Sequence, residues 1–405
     1  MYFTMSWRNL WRNKRRTIIV VASVLFALLI ALFMRSMQKG TYAYMIDSAV
    51  SQQTGYLQVQ DTSYWEKRSV DYSISLDDET IEEIQQIEYV GNLIPRFETF
   101  ALASSGNQTK VAAIMGIDPE KEDEMNGLSA KVIEGKYLDR NTEGLLIAEG
   151  LADLLGVTLG DSVVIYGQGY HGTTAAAFLP ITGIAEFPIP KQNNVMIYMP
   201  LEQAQYVFGA YDMITGLAVM IQNERHLQTV QKQIAGVLPE QYVVRDWQFM
   251  MPELVQGIQT DEAGGIIMLF IIYGIVGLGI FGTIMMMTAE RAREFGILIS
   301  VGMSRWRLIF TTAIESVVMS MIGVFIGFIL SIPILLYFKA NPIRIPGEMG
   351  EMYKEFGFEP IMPVSLAPYI FIEEIIVVLC IALLCAIYPL VYIKNLRPMD
   401  AVRGI

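Results

Sequence analysis

GGIIMLFIIYGIVGLGIFGTIMMMT, residues Gly264 to Thr288, runs for 25 positions without a charged side chain. A helix needs roughly 20 apolar residues to cross the hydrocarbon core of a bilayer, so this stretch reads as a membrane span. Three more stretches qualify: Thr17 to Met34, Ile309 to Phe338 and Tyr369 to Ile393. The third span in chain order carries Glu315 near one end and Pro333 near the other; the fourth begins beside Glu373 and Glu374 and contains Pro389. Thr17 to Met34 follows a basic segment, as a signal peptide would. Its run exceeds the about 7 to 15 residues of a signal sequence, and no small-x-small cleavage site follows, so it reads as a retained anchor. Composition agrees: 53% of the 405 residues are apolar and 17% charged, and the mean hydropathy is +0.39. That balance excludes a disordered chain.

The formal charge of −12 leaves no overall basic field for a nucleic acid. Cys380 and Cys385 share one apolar run and read as small core residues rather than a disulfide framework. With His171 and His226 as the only histidines, a zinc or other metal site of the usual ligands is not expected.

Basic residues set the orientation, because short loops rich in Lys and Arg stay inside. Residues 1–16, 289–308 and 394–405 together hold 12 basic and 3 acidic side chains, whereas residues 35–263 hold 14 basic and 31 acidic. The expected topology puts both termini in the cytoplasm, about 230 residues outside, and a second short outer loop at 339–365. In the opening segment Trp7, Leu10 and Trp11 fall on one helical face with arginines opposite, which fits an interfacial anchor or a partner contact.

Between residues 55 and 260 the pattern turns to short strands and short amphipathic helices, a globular α/β or α+β domain. Gly55 to Gln60 alternates as a strand, and Asp77 to Ile87 is helical. Arg96 to Ser104 and Lys110 to Ile117 form a hairpin across Ser105-Gly106-Asn107. Leu145 to Ile147, Ser162 to Tyr166, Phe178 to Phe187 and Val195 to Met199 are β-rich, with a helix at Glu149 to Leu155. Gly216 to Ile221, Glu224 to Leu238 and Tyr242 to Arg245 read strand, helix, strand. Two subdomains are expected, the outer one inserted into an α/β unit made by residues 55–118 and 200–248.

The domain offers no catalytic constellation. Glu120, Glu122, Asp123 and Glu124 read as a solvated charge run, and the glycines around His171 as a hairpin tip. There is no nucleophile elbow, no HExxH pair and no G-x-x-x-x-G-K-[ST] loop; Gly135-Lys136 is followed by Tyr137. In the spans, Gly323-x-x-x-Gly327 allows close helix approach, as do glycines 274, 277, 279 and 282; packing within the chain and dimer contact both fit. Glu315 lies about 9 Å into its helix, within reach of inner arginines, so an ion pair is favoured over a proton relay. Residues 288–305 mix charges with helically spaced apolar side chains, a short amphipathic helix serving as tether or docking element.

The run ERAREFGILISVGMS from Glu290 to Ser304, Glu315 with the glycines after it, and the ending YPLVYIKNLRPMDAVR from Tyr388 to Arg403 resemble the permease superfamily of FtsX, MacB and the lipoprotein-releasing LolC/LolE proteins. The opening WRNLWRNKRRT is most like the LolE branch. MGIDP at Met115 to Pro119 and LADLLGVTLGD at Leu151 to Asp161 are similar to its periplasmic core domain.

The resemblance implies a membrane α-helical fold of four transmembrane helices, with a large extracytoplasmic α+β domain between helices 1 and 2. The division would be a cytoplasmic amphipathic segment at 1–16, helix 1 at 17–40, the extracytoplasmic domain at 41–262, and an FtsX-like permease domain at 263–405 with helices at 264–288, 309–338 and 369–393. It implies a non-catalytic transport subunit of the inner membrane, paired with a second, identical or homologous permease. Two copies of a separate ABC ATPase would hold the ATP and Mg, this chain binding no cofactor; helix 1 beginning at residue 17 puts that enzyme on another polypeptide. Glu290, Arg291, Arg293, Glu294, Gly296, Leu298, Gly302, Met303 and Ser304 would form the coupling helix that enters a groove on the ATPase. Phe33, Met34, Met37, Tyr42, Met45 and Ile46 would line a cargo cavity, since methionine-rich surfaces adapt to acyl chains. Lipoprotein or another amphipathic cargo, a periplasmic acceptor and membrane lipids are the implied partners. Alternative roles are a MacB-like efflux subunit with an adaptor and an FtsX-like regulator of a periplasmic enzyme, although the outer domain is larger than FtsX usually carries.

Overall fold

The computed structural model describes residues 14–355 and 357–396. The interfacial reading of Trp7 to Trp11 and the ending beyond Leu396 lie outside the described residues. The longer helices are α1 (Lys14–Ala49), α2 (Asp78–Gln86), α3 (Pro119–Asn126), α4 (Glu149–Leu155), α5 (Leu201–Phe208) and α6 (Leu227–Val237). They continue as α7 (Pro252–Glu290), α8 (Ala292–Ser300), α9 (Arg305–Ala340), α10 (Gly347–Glu355), α11 (Pro368–Cys385) and α12 (Ile387–Asn395). Strands β1 to β5 cover Leu57–Asp61, Val90–Ser105, Gln108–Ile117, Val132–Gly135 and Leu145–Ala148. Strands β6 to β10 cover Ser162–Gln168, Thr174–Ala185, Met196–Pro200, Gly216–Ile221 and Tyr242–Asp246, and β11 and β12 are Ile343–Arg344 and Ile361–Met362. The chain divides into two compact units, Met1–Tyr44 with Gly257–Arg344 and Ile361–Ile405, and Met45–Gln256 with Ile345–Pro360.

Among the described residues, four helical segments are long and apolar enough to cross a membrane, and their apolar stretches lie in the first unit. The helices outrun the apolar stretches that announce them. α1 continues to Ala49 rather than ending near residue 40, and α7 starts at Pro252, twelve residues before the apolar run. The fourth span is two helices broken at Ala386, because Pro389 has no N–H to give the carbonyl four residues earlier. The apolar core between the helices gathers Val24, Leu28 and Leu32 of α1, Ile280 and Ile284 of α7, Val324 of α9, and Ile370 and Val378 of α11. Gly323 and Gly327 pack within the chain: a Cβ on Gly323 would lie 2.7 Å from Val24 Cβ, and one on Gly327 3.1 Å from the Leu25 carbonyl. In α7, by contrast, Cβ atoms on Gly274, Gly279 and Gly282 would meet nothing within 4 Å.

The second unit is built on one sheet in the order β10-β1-β9-β2-β3-β8-β5-β7-β4, with β6 pairing β2 and β7. The hairpin of β2 and β3 pairs from Arg96 with Ile117 to Ser105 with Gln108 and turns at Gly106, whose φ is +55°. Most neighbours are antiparallel; β3 with β8 and β5 with β7 are parallel. Two apolar cores lie along the sheet. One includes Phe97, Ile114, Leu146, Leu151, Ile197 and Phe208, and the other Leu57, Val59, Ile84, Val219, Val230 and Trp247. The 16-residue β2 contributes to both cores, so one continuous sheet runs through them. Helix starts follow local chemistry, as where Asp118 accepts from the N–H groups of Glu120 and Lys121 while Pro119 sits in the first turn of α3. Residues 345–360, between the third and fourth spans, pack with this unit. Gly357, at φ +80°, backs onto Ile189 so closely that a Cβ there would fall 2.4 Å from Ile189 Cγ1.

Candidate functional site

α7 stops at Glu290 because Arg291 takes a non-helical conformation, and α8 restarts one residue later. The Arg291 guanidinium donates to the Glu315 carboxylate of α9, lies 3.4 Å from Glu294 Oε2, and sits over the Phe295 ring. The expected ion pair between Glu315 and an inner arginine is therefore present, and Arg291 supplies it. Helical spacing then puts Phe295 and Ile299 on one face, packed with Leu308 of α9 and Ile393 of α12. Behind them Arg305 donates to the carbonyls of Lys394 at 2.8 Å and Leu396 at 3.0 Å, satisfying the open end of α12.

The opposite face is bare. Ile297 and Leu298 are exposed, Val301 is 83% exposed and Trp306 78%. After α8 the chain reverses at Gly302, with φ at +104°, where the N–H groups of Gly302 and Met303 reach the carbonyls of Ile299 and Leu298, both at 3.0 Å. Of the residues singled out from sequence, Glu290, Arg293, Glu294, Leu298, Gly302 and Ser304 are exposed, Arg291 and Met303 half-buried, and Gly296 buried. They come together as one short helix with its flanking turns. Ile297, Val301 and Trp306 were missed, although Ile297, Val301 and Leu298 are apolar at spacings of one helical face.

The residues named for a cargo cavity are dispersed. Phe33 meets Phe338 edge-on at 5.2 Å between centroids, and Met34 and Met37 are half-buried. Tyr42 is buried and donates to Asp261 Oδ2 at 2.5 Å. Met45 and Ile46 belong to the α+β unit, where Ile46 packs on the second core. Around Tyr42 lies a network that sequence reasoning passed over. Lys39 is 2.6 Å and Arg35 3.4 Å from Glu262 Oε1, and Gln38 donates to the Tyr42 hydroxyl at 2.8 Å. Farther along, Tyr273 of α7 donates to Glu374 of α11. The available signal was Arg35 and Lys39 at i and i+4 on α1, facing an acidic pair just ahead of an apolar run.

In the α+β unit, Glu122 is buried rather than solvated, which corrects the reading of residues 120–124 as an exposed run. Its carboxylate takes both arms of Arg96, at 2.9 Å to Nε and 2.6 Å to Nη2, and accepts from Asn126 at 2.5 Å. Burial opposes the Arg96 charge, but Glu122 more than restores it, and the guanidinium ends above its ordinary pKa.

Two family models match the chain: the FtsX-like permease C-terminal region over residues 266–398 and the MacB-like periplasmic core domain over 17–237, the latter more than half of the chain. The chain is 23% identical over 248 residues to the lipoprotein-releasing system transmembrane protein LolC of Xylella fastidiosa, covering 59% of each. It is 26% identical over 219 residues to the uncharacterized ABC transporter permease YknZ of Bacillus subtilis, 50% of this chain and 53% of that one. The macrolide export ATP-binding/permease protein MacB of Haemophilus ducreyi is 21% identical over 339 residues, 80% of this chain and 47% of that one. The chain thus spans about half to three-fifths of the length of these relatives. Among solved structures, the extracellular domain of YknZ from Gram-positive bacteria aligns over 47% of this chain and 99% of its own, at 16% identity and a TM-score of 0.35.

Proposed function

Because the chain belongs to the FtsX/MacB/LolC superfamily of ABC transporter permeases, we propose that it is the driven half of a transporter, a permease subunit that does no chemistry itself and moves cargo with a separate ATPase. The observation that carries this is the α8 platform. Its inner face is fixed to α9 and α12 by Arg291–Glu315 and by Phe295, so a push on the bare Leu298 and Val301 face is received by two spans together. In this reading α8 enters a groove on the ATPase, Glu290 and Arg293 meet its rim, and the basic ends of the chain lie in the cytoplasm with the α+β unit outside.

The cargo we assign is a lipoprotein or another amphiphile taken from the outer leaflet. LolC, among the relatives, is named for lipoprotein release. A cavity from Phe33, Met34 and Met37 would then need a second permease to close it. Efflux coupled to an adaptor is the second reading, favoured by likeness to MacB over 80% of this chain. The test is reconstitution of the full chain with its co-purifying ATPase in proteoliposomes holding a labelled lipoprotein. ATP-dependent release that disappears in Val301→Glu supports the proposal. Nucleotide hydrolysis by the purified chain alone, or release unchanged in the variant, overturns it.

A further inference from the structure

Alternation along β2 puts Phe97, Ala101 and Ala103 into the core and Arg96, Glu98, Phe100 and Leu102 on the other face. Register carries that face across the sheet. Glu98 pairs with Met115 and Leu102 with Val111 on β3; Leu102 also pairs with Tyr166 on β6, and Val164 of β6 with Phe178 on β7. Directly paired residues point the same way, so these side chains form one strip. Phe100 is 60% and Phe178 71% exposed, and Leu102, Val111, Val164 and Tyr166 are exposed between them. An open antiparallel face is ordinarily polar, and a contiguous apolar one marks a binding surface. Along β2 the strip runs about 20 Å from Glu98 to Ser104.

At its Glu98 end the strip opens into a cavity of about 270 Å³ lined by Trp65, Arg68, Met115, Met196 and Tyr198, among others. Arg96, at the cavity wall, is neutralised by Glu122. Two charges remain. The half-buried Glu98 carboxylate accepts no hydrogen bond among the described residues, and burial pushes its pKa above the ordinary carboxylate range. Arg68 is held at φ +49°, in the left-handed region a side chain seldom adopts, with its guanidinium 3.9 Å over the Trp65 ring. The two face the same cavity without forming an ion pair. An undonated acid and an arginine beside it are complementary to a zwitterion, and the strip leading away is complementary to one acyl chain.

We infer that this face of the α+β unit binds a single-chain phosphoethanolamine amphiphile, its ammonium on Glu98, its phosphate on Arg68 and its chain over Phe100, Leu102, Val111 and Phe178. The inference goes beyond the transport reading and does not rest on it, since binding needs no ATPase.

The test uses the full chain held in peptidiscs without detergent and a lauroyl lysophosphatidylethanolamine carrying a diazirine in its chain. Photoadducts are expected on β2, β3, β6 and β7. Glu98→Gln should lower them about tenfold or more, as loss of a hydrogen bond to a charged group would, without lowering the unfolding temperature. Phe178→Asp, a change at an exposed position, should lower them as well. Lauroyl lysophosphatidylglycerol should compete poorly, and so should phosphoethanolamine without a chain. Adducts confined to the membrane helices, adducts indifferent to Glu98, or equal competition by the glycerol headgroup would each overturn the assignment.

Discussion

Glu98 is a residue whose cost to the fold can be measured separately from any ligand. Its neighbours are Arg96, Arg68 and Glu122, and burial outweighs the two arginines, so its folded pKa lies above the unfolded value. As pH rises through that window the unfolded chain releases its proton first, and this group's contribution to stability falls. Glu98→Gln is therefore expected to raise the unfolding temperature more at pH 7.5 than at pH 4.5, by calorimetry of the solubilised chain; an equal gain at both would contradict the shift. The Arg96–Glu122 pair should behave oppositely. Arg96→Met leaves a buried carboxylate without its main partner, costing about 3–5 kcal/mol, and Arg96→Met with Glu122→Met should recover most of that loss in a double-mutant cycle. Gly302 is constrained by its backbone alone, since a Cβ there would meet nothing within 4 Å. Gly302→Ala should cost about 1–2 kcal/mol through its positive φ, seen as a lower unfolding temperature.

Among the elements, α9 against α1 gives the sharpest contrast. Gly323→Ile drives atoms into Val24 and the Val21 carbonyl and should destabilise by about 1–3 kcal/mol, whereas Gly279→Ala on the open side of α7 meets no obstacle, removes a helix penalty and should leave the unfolding temperature no lower than before. The two glycine patterns look alike in the sequence, because spacing identifies a helix face without naming its neighbour. The same limit explains what was legible elsewhere. Apolar runs announced all four spans but not how far the helices run on beyond them: Lys39–Glu262 and Tyr42–Asp261 join α1 and α7 as both continue. The β2–β3 hairpin was legible from alternation on either side of Gly106. The parallel pairing of β5 with β7 was not, since it joins residues more than 30 apart with no local mark. At the candidate site, motif resemblance located α8, and only packing revealed that Phe295 faces inward while Val301 and Trp306 face out.

For the whole molecule, the proposed mechanism would use the continuity of α7 to carry an event at α8 to the α+β unit. The first five residues of α7 belong to the α+β unit and the remainder to the membrane unit, and its last turn reaches Arg291 and the Glu315 tie. Thirty-nine residues give about 58 Å of helical rise, nearly twice a hydrocarbon core. A continuous hydrogen-bonded helix transmits displacement along its axis, and a flexible insert absorbs it. Two glycines inserted after Gly257 each carry about 1 kcal/mol of helix penalty and interrupt the helix where the two units divide, while α8 and its contacts are untouched. With the proposed ATPase bound, hydrolysis should stay within about twofold of the unmodified complex while release of labelled lipoprotein falls about tenfold, a fall that corresponds to ~1.4 kcal/mol of lost coupling. Val301→Glu should instead lose both activities, since it disables the platform where the stroke begins. If the glycine insert released cargo at the unmodified rate, α7 would be a tether only, and the stroke would have to reach the outer domain through α1.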